Sequence, residues 1–224
     1  MSLESGMPMH LAGTAMTWGS VWLFPNLIPL GVWMTLGTSN PGMIDAAGTH
    51  WEDAKKKIDE YDTSINDIKK QFDADPTNWT ADDKLFFDSA VEKYLGELKK
   101  VHDTVDTVEG LVKAVAKILF GLCIAVLTIG GAVLAIALFT IAQLPIPVVG
   151  EIAYSMAQTA ALMLMEVSIP IFTTIQGFLM TLLGFITTAL GIAGGTYGTQ
   201  LISLGTSNPD FKEVKIEMPS GPLK

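Results

Sequence analysis

The residue types that do chemistry in proteins are few in this sequence, and they stand far apart. The three histidines, His10, His50 and His102, are scattered, and none has a second His or a Cys at metal-ligand spacing. The single cysteine, Cys123, lies inside an apolar run and reads as a small buried residue. One cysteine makes neither an intramolecular disulfide nor a cysteine-rich zinc site. Asp73-x-Asp75-x-Thr77 has the opening of a calcium loop, but Asn78 stands where that loop needs glycine and Lys84 where it needs a bidentate glutamate. Asn78-Trp79-Thr80 fits the glycosylation sequon, a pattern with meaning only in a eukaryotic lumen. No phosphate-binding loop, dinucleotide fingerprint, His-Glu-x-x-His or nucleophile elbow occurs. The expectation is a non-enzymatic chain with no catalytic residue, no metal site and no cofactor. Two carboxylates, Glu151 and Glu166, stand alone among apolar residues. Intramembrane acids are candidates for an ion path; the reading favoured here is that both mark helix ends at lipid headgroups.

The placement of charge explains this poverty. Of the 37 charged residues in 224, 28 lie between Asp45 and Lys117 and six more follow Pro209. None occurs from Ser5 to Ile44, from Ile118 to Gly150 or from Val167 to Pro209. Uncharged apolar runs of this length are candidates for crossing a bilayer. All 14 basic residues are lysine and the net charge is -9. Phosphate and base recognition rely on arginine forks and basic stripes, so nucleic acid is excluded as an expected partner.

The charged zone, 45–117, carries two unbroken heptad stripes. The first is Trp51, Ala54, Ile58, Tyr61, Ile65, Ile68 and Phe72; the second runs from Phe87 through Val91, Tyr94, Leu98, Val101, Val105 and Val108 to Leu119. Thr49 with Glu52 predicts a capping box for the first helix, and Pro76 breaks it. Two heptad helices joined by a short loop fold back antiparallel to bury their seams. Trp51, Trp79, Phe87 and Tyr94 are the expected contact residues of this hairpin. Lys113 and Lys117, immediately before the next apolar run, place it on the cytoplasmic side by the positive-inside rule.

Three further segments surround the hairpin. Residues 1–44 are apolar and tryptophan-rich, interrupted by Pro25, Asn26 and Pro29; the expectation is a kinked span or an interfacial segment. Residues 118–209 form the transmembrane region. Within it, Ile118–Leu144 makes about 40 Å of helix, enough to cross with tilt. Val148–Ser168 is either a third span or a helix lying between spans, Pro170 follows it, and Ile171–Leu204 is long enough to span. Residues 210–224 read as a flexible tail. Two to four spans are compatible with this pattern. The hexapeptide Leu36-Gly-Thr-Ser-Asn-Pro41 recurs as Leu204 to Pro209, each copy closing an apolar segment. Gly177, Gly184, Gly191, Gly198 and Gly205 recur every seven residues, a stripe that lets another helix backbone approach closely in a membrane.

One family resemblance lies in the charged zone. Trp79-Thr80-Ala81 occupies the turn between the two heptad helices, and Asp82-Asp83-Lys84-Leu85-Phe86-Phe87 and Tyr94 open the second. This pattern resembles the WXG family of helical hairpins exported by type VII secretion systems, over roughly residues 45–110. Ala81 replaces the motif's glycine, and no tyrosine is followed four residues later by an acid, so the family's export signal is missing. The resemblance implies helical-bundle dimerisation in a bacterial envelope setting.

The fold expected from these elements is all-α: an antiparallel heptad hairpin joined to a bundle of transmembrane helices. The expected partners are the lipid bilayer and a second copy or another helical protein. The expected role is a structural or interaction component of a membrane assembly. The alternative is a pore-forming or membrane-depolarising effector delivered by a secretion system.

Overall fold

The computed structural model describes residues 2–74 and 81–206, with side-chain surroundings described there except at 81–83, 192–194 and 196–206. These residues are helical with no strand: α1 (Gly6–Ser20), α2 (Ile28–Leu36), α3 (Pro41–Ala74), α4 (Ala81–Gln143) and α5 (Val149–Thr206), with single 3-10 turns at Leu3–Ser5 and Pro25–Leu27. The all-α hairpin joined to apolar helices is the observed arrangement.

The N-terminal zone departs from both expectations for it. Instead of one kinked helix over Thr17–Leu36, the chain stops at Ser20, turns, and restarts at Ile28. Proline explains the break: Pro25 opens the 3-10 turn and Pro29 sits in the first turn of α2, positions that need no helical N–H. Contacts between α1 and α2 run in opposite order. The Trp18 ring lies against Gly31, the Thr17 hydroxyl reaches the Met34 sulfur at 3.2 Å, and His10 meets the Met34 carbonyl at 2.7 Å. The pair is therefore an antiparallel hairpin. It returns to where it began, since Gly6 packs on Pro41 and Gly42 packs on Glu4.

The first copy of the hexapeptide is the joint between this pair and α3. The side-chain oxygen of Asn40 accepts from the Met43 N–H at 3.3 Å, and Pro41 is the first helical residue. Asparagine before a first-turn proline is a strong helix start. The predicted Thr49–Glu52 cap is thus overturned: Thr49 is inside the helix, and its hydroxyl donates to the Asp45 carbonyl at 3.4 Å.

α3 (34 residues) and α4 (63 residues) form the antiparallel hairpin, and α4 runs without a break from the charged zone into the apolar one. Val148 closes the α4–α5 turn with φ 66°, left-handed backbone that a β-branched residue rarely adopts. α5 then returns along α4 as one helix of 58 residues. The two separate elements expected around Pro170 are therefore a single helix. Its proline forfeits one backbone hydrogen bond, and the hydroxyls of Ser168 and Thr173 bond the Leu164 and Ile169 carbonyls beside it. The core lies where α2, α4 and α5 meet, among Phe24, Leu27, Leu30, Val126, Val133 and Phe172. α4 and α5 each contain a stretch long and apolar enough to cross a membrane.

Candidate contact surfaces and bundle interface

The hairpin is held in register by cross-helix ion pairs whose partners run in opposite order. Glu52 meets Lys113 at 3.1 Å, Lys55 meets Asp106, Asp59 meets His102 at 3.3 Å, Lys69 meets Glu92 at 3.4 Å, and Asp73 meets Lys84 at 2.8 Å. Between them the seam is well covered only near the bundle, where Leu98, Val105 and Val108 are buried. Toward the tip, Tyr61, Ile68 and Phe72 of α3 and Phe86 of α4 are exposed. The two helices alone leave part of their stripe uncovered. Of the expected contact residues, Trp51 and Phe87 are half-buried, Tyr94 is 36% exposed, and Trp79 lies outside the described residues. Phe87 meets Phe72 edge-on, with ring centroids 5.3 Å apart.

The ion pairs set the hairpin's response to pH. Hydrogen bonding to Lys55 lowers the Asp106 carboxyl below its ordinary 3.8, and Lys84 does the same for Asp73. Lys56 first, then Lys113, lowers Glu52 below 4.5. A carboxylate lowered in the folded state stabilises it above the ordinary carboxylate range and loses that effect as pH falls through the lowered value. The partners Lys55, Lys84 and Lys113 are raised, so their contribution persists past the ordinary 10.5. Hairpin melting followed by circular dichroism should be flat across neutral pH and fall in acid. The fall should be modest, because these pairs are solvent-exposed, and smaller again at high salt. A melting temperature that rises on acidification would refute the pairing.

The contact between α1 and α4 is built the opposite way from a water-soluble core. The buried face of α1 is Gly6, His10, Gly13, Thr14, Thr17 and Ser20, small or polar residues at steps of three and four. It packs on α4, where Gly6 lies against Phe120 and Gly13 against Val126 and Gly130, both of them buried. At the centre the two backbones touch. A Cβ on Gly130 would meet the Gly13 carbonyl and lie 2.6 Å from Gly13 Cα, and one on Gly13 would run into the Val126 carbonyl. Many large apolar side chains are exposed: Leu11 on α1, Trp22 in the turn after it, Leu138 and Phe139 on α4, and Met163, Phe178, Met180 and Phe185 on α5.

The glycine heptad of α5 makes no such contact within the chain. Gly177, Gly184 and Gly191 have nothing within 4 Å of an added Cβ, and the surroundings of Gly198 and Gly205 lie outside those described. Ile118–Leu144 of the same chain therefore does not pack on these three glycines. Glu151 and Glu166 are both exposed; Glu151 lies in the first turn of α5, but Glu166 lies inside that helix, so the expectation that both mark helix ends holds only for Glu151. They are separated by about 22 Å along the helix, somewhat less than the hydrocarbon thickness of about 30 Å.

The interface the sequence reading missed is the one between α1 and α4. Gly13 and Gly130 were overlooked because neither belongs to a long glycine series. The usable signal was the four-three spacing of small residues from Gly6 to Ser20. Among the described residues, no three of His, Cys, Asp and Glu gather to hold a metal ion. The chain matches no protein family, no curated protein and no solved structure.

Proposed function

We propose that the chain is a non-enzymatic, multi-pass integral membrane protein that serves as a structural or interaction component of a membrane assembly. The observation that carries this reading is the inverted contact between α1 and α4. Small and polar residues of α1 face α4 there, while many large apolar side chains are exposed. In water that distribution exposes a large apolar surface, a mark of membrane or protein contact. In lipid it is the ordinary one, because helices there associate by close packing of small residues rather than by burying large ones. Lys113 and Lys117 put the hairpin on the cytoplasmic side.

In this reading the hairpin is the contact module and α4 its rigid link to the membrane. The part-open seam around Tyr61, Ile68 and Phe86 suits a second pair of helices, which is also what the WXG-type resemblance implies. Self-association runs through the α5 glycine face, which its own chain leaves uncovered. Two measurements test this. The protein should remain with membranes through alkaline extraction of the producing cell. Cross-linked oligomers should be lost in Gly184→Leu and Gly191→Leu, since either leucine holds a second backbone away. Recovery in the soluble fraction rejects the membrane role, and unchanged oligomers in both variants reject the glycine interface.

One observation favours a second reading, a pore-forming effector. The last α5 side chain packed on the described core is Leu179, and the helix continues to Thr206. Residues 180–191, about 18 Å of apolar helix with no buried side chain, thus extend past that packing, a surface available to a target membrane. Ion conductance of purified protein in planar bilayers would select this reading over the scaffold.

A further inference from the structure

A cavity of about 220 Å³ lies between the end of α2, α4 and α5. Leu119, Leu122, Val126 and Phe172 make its apolar wall, and the exposed Leu36 and Gln176 stand at its edge. His10, from α1, completes the wall. This histidine is fully buried. Its Nε2 is 2.7 Å from the Met34 carbonyl oxygen. A carbonyl only accepts, so Nε2 carries the proton and donates it, which leaves Nδ1 as an acceptor. Nδ1 is buried and has no hydrogen-bond partner among the described residues. A buried acceptor left unsatisfied is destabilising. With Nε2 committed, Nδ1 is the ring nitrogen left to bond whatever the cavity holds.

We propose that this cavity binds a neutral amphiphile, an apolar chain or ring carrying one hydroxyl whose proton His10 Nδ1 accepts. Three properties set the class. None of the lining residues is charged, so an ionic ligand would lose its hydration without a counter-charge. The wall is apolar except at His10 and Gln176, which fixes one polar group in the interior and allows another at the mouth. The volume sets the size: a 150 Å³ apolar cavity accepts benzene, so this one takes about nine non-hydrogen atoms. The hydroxyl can belong to a membrane lipid such as a diacylglycerol, with its first chain carbons in the cavity, or to a free medium-chain alcohol. The inference goes beyond the proposed assembly role and stands whether or not the protein forms oligomers.

The test uses the full chain labelled with ¹⁵N-histidine, in a detergent without hydroxyl groups, titrated with 1-octanol and with heptyl methyl ether. The two probes have the same heavy-atom count, and only the alcohol donates a proton. The Nδ1 resonance of His10 should move and saturate with octanol and stay in place with the ether. The same experiment in phosphatidylcholine bilayers, with and without dioleoylglycerol, separates the sources: a shift with dioleoylglycerol assigns a lipid ligand, and a shift with octanol alone assigns a free alcohol. His10→Gln identifies the resonance. It keeps a side-chain N–H for the Met34 carbonyl but has no acceptor at the Nδ1 position, and should weaken octanol binding about two- to tenfold, the worth of one neutral hydrogen bond. An Nδ1 resonance unmoved by octanol, as water in the cavity would leave it, overturns the proposal. So does one that the ether moves equally.

Discussion

Gly130→Ala should destabilise the protein by about 1–2 kcal/mol, the reverse of what the same change does in an ordinary helix. At an unconstrained helical site, alanine is favoured over glycine by about 1 kcal/mol because it loses less backbone entropy. Gly131 is such a site, with nothing within 4 Å of an added Cβ. One residue earlier, the methyl group would meet the backbone of Gly13 in the facing helix. Backbone cannot rotate aside as a side chain can, so α1 must move away from α4 along their shared length. That movement loosens the contacts of Thr17 and His10 with α2 as well. Overpacking of a tight contact costs typically 1–3 kcal/mol, and here the helix-propensity gain offsets part of it. Gly13→Ala should behave likewise, since its methyl would strike the Val126 carbonyl. Reversible unfolding in detergent, monitored by circular dichroism, distinguishes the cases. Gly130→Ala should fall below wild type and Gly131→Ala rise slightly above it. If both rise, the helices do not touch at this point.

That contrast also shows what the sequence could and could not tell. The heptad hairpin was legible because its stripes persist over several turns, and a period of that length has one physical solution. The start of α3 was not. Residues 41–48 contain two glycines and no periodic stripe, so the first capping pattern beside the stripe, Thr49 with Glu52, competed with the true cap at Asn40. In the apolar zones the usual rule inverts. His10, Thr14, Thr17 and Ser20 look like polar interruptions of an apolar helix, yet they are its packed face. Glycine spacing alone is ambiguous for a similar reason. A stripe every seven residues says that a close approach is sterically allowed, not which helix approaches. In α5 the described members of the longest glycine series, Gly177, Gly184 and Gly191, meet nothing of their own chain, while a single glycine pair forms a backbone contact between α1 and α4.

The turn between α1 and α2 is the other place where one side chain carries much of the arrangement, and Phe24→Ala should cost about 3–5 kcal/mol. In the proposed membrane setting, non-helical backbone at this turn is tolerated only where protein covers it. The turn meets part of that need itself: the Leu23 and Phe24 N–H groups donate to the Ser20 carbonyl at 3.1 and 3.0 Å, and Leu27 N–H donates to Phe24. The rest comes from α5. Phe24, fully buried, stacks on Tyr154 with centroids 6.4 Å apart, and the Tyr154 hydroxyl donates to the Leu23 carbonyl at 3.2 Å. Gln158 in turn donates to that hydroxyl at 2.8 Å. Removing the hydroxyl alone, in Tyr154→Phe, should cost less, about 1–3 kcal/mol, because it takes two neutral hydrogen bonds, to Leu23 and from Gln158, and leaves the ring in place. Removing the Phe24 ring leaves a void beside Tyr154 and frees the turn from α5. The two changes touch the same contact, so the double variant should cost less than the sum of the singles. Domains of this size have total stabilities of about 5–15 kcal/mol, so Phe24→Ala takes a large share. Unfolding free energies of the three variants in the same detergent decide it. A Phe24→Ala cost no larger than that of Tyr154→Phe would mean that the hydrogen bond, not the ring, fastens the turn to α5.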